Sequence, residues 1–228
     1  MAARVAPKGG MNLGSLQELT SQAEAEWLKK WTAGPTEGVG TLIAPDTAAP
    51  NLSLPDDTGV TVRLSDYWSK GPALLMFWRH FGCTCGVERG ERLKAELDSY
   101  GEANLTPVVI AQGEPERAAA YRTTHDLPCA ILCDPDHTAY RAYGVGQWAV
   151  EQVLFDAPPE YWGHPHDLGA DFQNGRREEG RPPVDDPWRA AAEFVVGADG
   201  IIRLSYAYQY CEDYPDPRVL TTAARLAS

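Results

Sequence analysis

The sequence predicts a three-layer α/β domain, with helices on both faces of a mixed sheet. Three observations carry this expectation. Short apolar runs recur at 73–78, in "TPVVIAQG" and in "PCAILCD", as strands buried on both faces do. Stretches with helical period separate them, and that alternation points to parallel βαβ units. Two further strands, in "EFVVGADGIIRLSYAYQY", meet at Ala198-Asp199-Gly200, a hairpin turn.

The elements follow in order. Residues 1–10 read as disordered. Leu13, Leu16, Leu19, Ala23, Trp27 and Trp31 recur in steps of three and four, one face of a helix that Gly34 and Pro35 stop. Residues 1–40 are therefore an N-terminal extension, a packing arm or part of a dimer contact, ahead of a domain spanning 41–228. Two short extended pieces flank the turn Asp57-Thr58-Gly59. After the first long strand, Val87, Gly90, Leu93, Leu97 and Tyr100 share a helical face, and Pro115 opens the next helix from its first turn. A short helix follows in "PDHTAYRAYGV". The pattern is then lost over 147–189, where Pro158, Pro159, Pro165, Pro182, Pro183 and Pro187 fall. That is too long for an ordinary loop, and it reads as an insertion with a helical turn or two around "VEQVLFD". A closing helix begins at Asp216-Pro217.

Composition narrows the function. The chain of 228 residues is 43% hydrophobic and 23% charged, as folded soluble domains are. A net charge of −12 argues against a nucleic-acid binder, which needs a basic surface, and against an anionic membrane as partner. No apolar run approaches the roughly 20 residues of a membrane span. The N-terminus has no apolar core, so a cytoplasmic location is expected. Five cysteines cannot all pair. In a reducing compartment they are more often buried, catalytic or metal-bound than stapled.

Several motifs carry a resemblance. "APNLSLPDDTGVTVRLSDYW", "PALLMFWRHFGCTC", "LPCAILCDPDHTAYRAYGV" and "FVVGADGIIR" resemble, in order and spacing, segments of the alkyl hydroperoxide reductase/thiol-specific antioxidant (peroxiredoxin) family, over about 45–146 and 190–228. The long insertion and the ending "YQYCEDYPDPRVL" look closest to its peroxiredoxin-like branch. The resemblance implies a thioredoxin-like fold, a redox-active cysteine with antioxidant activity, and a thiol reductant or thioredoxin-type donor. Two departures stand out. The family carries P-x-x-x-T-x-x-C after the first long strand; here Arg79 holds the proline position, Cys83 the threonine and Gly86 the peroxidatic cysteine. A cis-proline is usual before the strand beginning near Phe194, where this chain has Ala190, Ala191 and Ala192.

The residues themselves point to Cys83 and Cys85. A cysteine between a buried strand and a helix start meets unpaired backbone N–H groups and the positive end of the helix dipole. Arg79 and His80 are candidate cations that favour the thiolate. That thiolate attacks peroxides and disulfides and binds soft metals. Cys211 is expected at the same sheet edge, because the last strand of such a fold runs parallel to the one ending near Phe81. It is a candidate resolving thiol or third metal ligand. Cys129 and Cys133 lie about 13 Å apart if the strand is extended, too far to bond to each other. They read as core residues sharing a face, with Cys133 the nearer to a site.

Three functions follow. The first is a thiol oxidoreductase using Cys83, Cys85, Arg79, His80 and Cys211, with no cofactor. The second is a zinc or iron–sulfur protein using Cys83, Cys85, Cys211 and His80. The third is a redox-inactive binding module. A homodimer is a candidate assembly. Other features read as structural: His164 and His166 as a solvated loop, Tyr206, Tyr208 and Tyr210 as one packed strand face. Glu114 and Glu116 oppose phosphate binding at the helix start beside them.

Overall fold

The computed structural model describes residues 13–155, 157 and 163–226. The tail expected to be disordered, Pro158 and Pro159, and the side chains of Leu13 and Leu16 lie outside the described parts. A small hairpin of β1 (Ser53–Pro55) and β2 (Thr61–Arg63) precedes the main sheet. That sheet holds β3 (Ala73–Phe77), β4 (Thr106–Ala111), β5 (Ile131–Cys133), β6 (Ala192–Val196) and β7 (Ile202–Ala207), in the order β5-β4-β3-β6-β7. Strands β3, β4 and β5 are parallel; β6 is antiparallel to both β3 and β7. Two reversals bring β7 back to the direction of β3, so residues after either strand emerge at one edge.

Side chains alternate across the sheet, as the pleat requires. Ala73, Leu75 and Phe77 enter one core with α2 (Ser65–Trp68) and α5 (Thr138–Ala142). Leu74, Met76 and Trp78 enter the other, with α3 (Thr84–Glu102), α4 (Pro115–Thr124) and α8 (Pro217–Arg225). The result is the expected mixed sheet with helices on both sides, a thioredoxin-like α/β fold.

A buried charge network locks α3 to the sheet. Arg89 Nε donates to Glu193 Oε1 at 2.7 Å, and the Tyr208 hydroxyl donates to the same oxygen at 2.5 Å. Arg89 and Glu193 are 2% and 1% exposed, so each depends on the other to offset its desolvation.

The insertion differs from expectation. It contains α6 (Val150–Val153) near the anticipated turn, but also α7 (Pro165–Glu178), a 14-residue helix. Its signals were present in the sequence: Pro165 at its start, Asp167 in the first turn, Arg176 and Arg177 in the last, then Gly180 at φ +71°. His164 and His166 therefore sit at a helix start, with the His166 side chain 64% exposed. The N-terminal helix α1 (Leu13–Ala33) packs on α7 through stacked rings. Trp27 lies 5.7 Å from Phe172, and Trp31 lies 4.9 Å from Trp188. Trp27 and Trp31 are thus committed within the chain, and α1 is a packing arm.

Candidate active site

Strand β3 runs out through Trp78, and Arg79, His80, Phe81 and Gly82 turn the chain into α3. Cys83 is the N-cap residue of α3 and Cys85 lies in its first turn. The two are joined as a disulfide, their Cα atoms 5.3 Å apart. Cys211 follows β7 at the same edge. The three sulfurs lie within 4.8 Å of one another. Both bridged cysteines are buried, at 7% and 6% exposure. They nevertheless form part of the wall of a cavity of about 290 Å³, with Cys211, Arg79 and His80 beside them.

Arg79 supplies the charge. Its Nη1 donates to Cys211 Sγ at 2.9 Å and to Cys83 Sγ at 3.4 Å. Its Nε donates to the Arg189 carbonyl at 3.3 Å, its Nη2 to the Pro187 carbonyl, and Trp148 lies under the guanidinium at 5.1 Å. The backbone behind it is held as well: Gln112 Nε2 donates to the Arg79 carbonyl at 2.9 Å, and Gln112 Oε1 accepts from Asp186 N at 3.1 Å. A rigid guanidinium between two sulfurs favours thiolate over thiol.

His80 does not share that role. Burial, reinforced by Arg79, Arg176, Arg117 and Arg181, holds its imidazole well below the ordinary 6.5. At neutral pH it is uncharged, and the expectation of a second cation is corrected. Its Nδ1 is buried without a hydrogen-bond partner among the described residues, and the ring stands edge-on to Trp27 at 6.4 Å.

Cys129 and Cys133 share a core-facing side, as expected, but Cys133 comes no nearer to the site. Both belong to the core beneath α3, and burial pushes each thiol up to about 12. Cys133 is fully buried and does not line the cavity. Tyr206 and Tyr208 pack edge to face at 5.9 Å in one core, as expected, while Tyr210, beyond the strand, stacks on Phe155 at 4.7 Å. Glu114 precedes α4 and pairs with Arg117 at 2.6 Å.

Gly86 holds the position that the family resemblance assigns to the peroxidatic cysteine. A Cβ at this position would lie 3.0 Å from the Tyr121 hydroxyl and 3.4 Å from the Trp78 ring. The position faces packed rings and leaves little room for a side chain. Ala191 borders a small gap with Cys85, Gly86 and Cys211.

Sequence reasoning missed the far wall of the cavity: Trp31, Leu154, Leu168, Phe172 and Arg176. These come from α1 and the insertion. Arg176 also reaches the Thr84 hydroxyl and pairs with Glu179 at 2.7 Å.

A thioredoxin-like sheet with clustered cysteines at the head of the helix after its central strand defines a thiol-redox class of protein. The comparisons agree. The AhpC/TSA family matches residues 45–205, and the chain belongs to that family. A Mycobacterium tuberculosis protein named for the peroxiredoxins is 32% identical over 111 residues, covering 47% of this chain and 69% of its own. Peroxiredoxin Bcp of Bacillus subtilis is 28% identical, over 42% of this chain and 61% of its own. Among solved structures, peroxidoxin BcpB of M. tuberculosis superposes with a TM-score of 0.59 at 14% identity, over 82% of this chain and 99% of that one.

Proposed function

We propose that the protein is a thiol peroxidase whose nucleophile is Cys83. Family membership supports the reaction class, and one observation carries the assignment: Arg79 donates to Cys83 Sγ at the positive end of α3. The Cys83 thiolate attacks the terminal oxygen of a hydroperoxide. The O–O bond breaks, the alkoxide takes a proton and leaves as an alcohol, and Cys83 becomes a sulfenic acid. Arg79 stabilises the charge that moves onto the leaving oxygen. The Cys85 thiol then attacks the Cys83 sulfur; its proton and the hydroxyl leave as water, and the Cys83–Cys85 disulfide forms. A thiol reductant returns two electrons and two protons. Cys211 serves as a second resolving thiol, and neutral His80 as part of the cavity wall.

A thioredoxin-type dithiol as donor, a cytoplasmic setting and a homodimer belong to the same reading. Among the described residues no helix is long and apolar enough to cross a membrane. Burial of the sulfurs favours a redox-inert module, but the cavity beside them gives a peroxide a route.

The test is peroxide consumption driven by a dithiol. Cys83→Ser abolishes it; Cys85→Ser combined with Cys211→Ser leaves a sulfenic acid that dimedone traps on Cys83. Turnover that survives Cys83→Ser disproves the assignment.

A further inference from the structure

We propose that, once the bridge is reduced, Cys83, Cys85 and Cys211 form a three-sulfur site for copper(I). The inference uses the same thiols as the peroxidase reading but none of its peroxide chemistry. Three observations carry it. The sulfurs lie within 4.8 Å of one another although they come from two distant parts of the chain, so only small shifts are needed for one ion to touch all three. Arg79 donates to two of them. That is the outer-shell hydrogen bonding that orients metal ligands, and it offsets part of the charge of three thiolates. Much of the wall facing them is apolar, built by Trp31, Leu154, Leu168 and Phe172, although Gln152, Arg176 and Glu212 also line the cavity; the apolar part disfavours water as a further ligand.

The donor set selects the ion. Soft thiolates favour copper(I), zinc or an iron–sulfur cluster. Zinc held by three protein ligands keeps a water or substrate in its fourth position, which the apolar part of the wall opposes, and the common clusters take four cysteines. Among the described residues, the cluster of metal-binding side chains holds these three cysteines and does not include His80. Cys129 and Cys133 are in the core beneath α3. Copper(I) is the thiophilic ion that three sulfurs satisfy. A phosphine or dithiol first supplies two electrons and two protons to open the Cys83–Cys85 bond. Binding then displaces the thiol protons and leaves copper in the +1 state.

The test uses the full chain, reduced with a phosphine under anaerobic conditions and titrated with copper(I) bicinchoninate. The expected result is transfer of one equivalent of copper to the protein and three sulfur neighbours in the X-ray absorption spectrum. Cys211→Ser should weaken binding by at least about tenfold, since lost support even from outside the ligand set costs that much. Failure to draw copper from the chelator, a two-sulfur spectrum, binding indifferent to Cys211→Ser, or preference for four-coordinate zinc overturns the proposal. The spectrum of the unmutated protein decides the matter if the variant misfolds. Peroxide turnover of the metal-free protein is measured separately. Turnover without copper uptake removes this site alone; uptake without turnover removes the peroxidase reading alone.

Discussion

Replacing Arg79 with methionine removes the guanidinium and keeps much of its apolar length. At 3.4 Å from Cys83 Sγ, a unit charge is worth about 5 kcal/mol to a thiolate at an effective dielectric of ~20. Desolvation offsets much of that, and such neighbours shift a titrating group by roughly 1–3 pK units. Taking about 2, the thiolate fraction below the thiol pKa falls about 100-fold. The more basic thiolate is intrinsically about 6–10-fold more nucleophilic. The net expectation is about a tenfold slower reaction. The assay is the pH dependence of Cys83 alkylation by iodoacetamide, with Cys85 and Cys211 changed to serine, alongside peroxide consumption in the protein that retains them. Arg79 also holds the Arg189 and Pro187 carbonyls, so circular dichroism must show an intact fold. Arg79→Lys, which keeps the charge but not the fork that holds the two carbonyls, recovers part of the rate and keeps the alkylation profile nearer that of the unmutated protein. An alkylation profile that does not move along the pH axis, even if the rate falls, refutes the electrostatic role.

Three further outcomes follow from the buried groups. Arg89→Leu strands the Glu193 carboxylate in the core and should cost about 3–5 kcal/mol in urea unfolding, with much of the loss recovered when Glu193 is also made leucine; a loss under about 1 kcal/mol contradicts the network described. Because His80 is depressed below 6.5 in the fold, the unfolded chain binds the proton first. Stability is therefore fully present above about pH 6.5 and falls as pH drops below it, by at most ~1.4 kcal/mol per pH unit for this residue. His125 and His137 are also lowered, with burial the leading cause, and act with the same sign, so the readout is a shallower slope in His80→Asn; equal slopes speak against a neutral buried imidazole. Burial of Cys129 and Cys133, pushed up to about 12, predicts that iodoacetamide labels them only after denaturant is added, and rapid native labelling of either would contradict their placement.

Much of the fold was legible because its signals are local. The apolar runs of β3 and β4, the hairpin at Asp199 and Gly200, and the steps from Leu19 to Trp31 report period and burial without knowledge of neighbours. Placing Cys211 beside Cys83 required one topological step, the shared direction of β3 and β7, and the sheet has it. The helix α7 was missed because prolines and charges dominate its surroundings, although its capping signals were readable. The state of His80 was not readable at all. Its neutrality depends first on burial and then on Arg79, Arg176, Arg117 and Arg181, the last three about 40 to 100 residues away in sequence.

The sequence by itself determined that this chain is a three-layer α/β domain with two closely spaced cysteines at a strand-to-helix turn. Those are properties of periodicity, of turn chemistry and of residues adjacent along the chain. Only the tertiary structure decided which groups surround the sulfurs: the guanidinium between Cys83 and Cys211, the closed position at Gly86, and the aromatic wall lent by α1 and α7. Electrostatics and packing act through space over a few ångströms, and partners brought together from α1, the insertion and the end of β7 leave no periodic trace in the linear order.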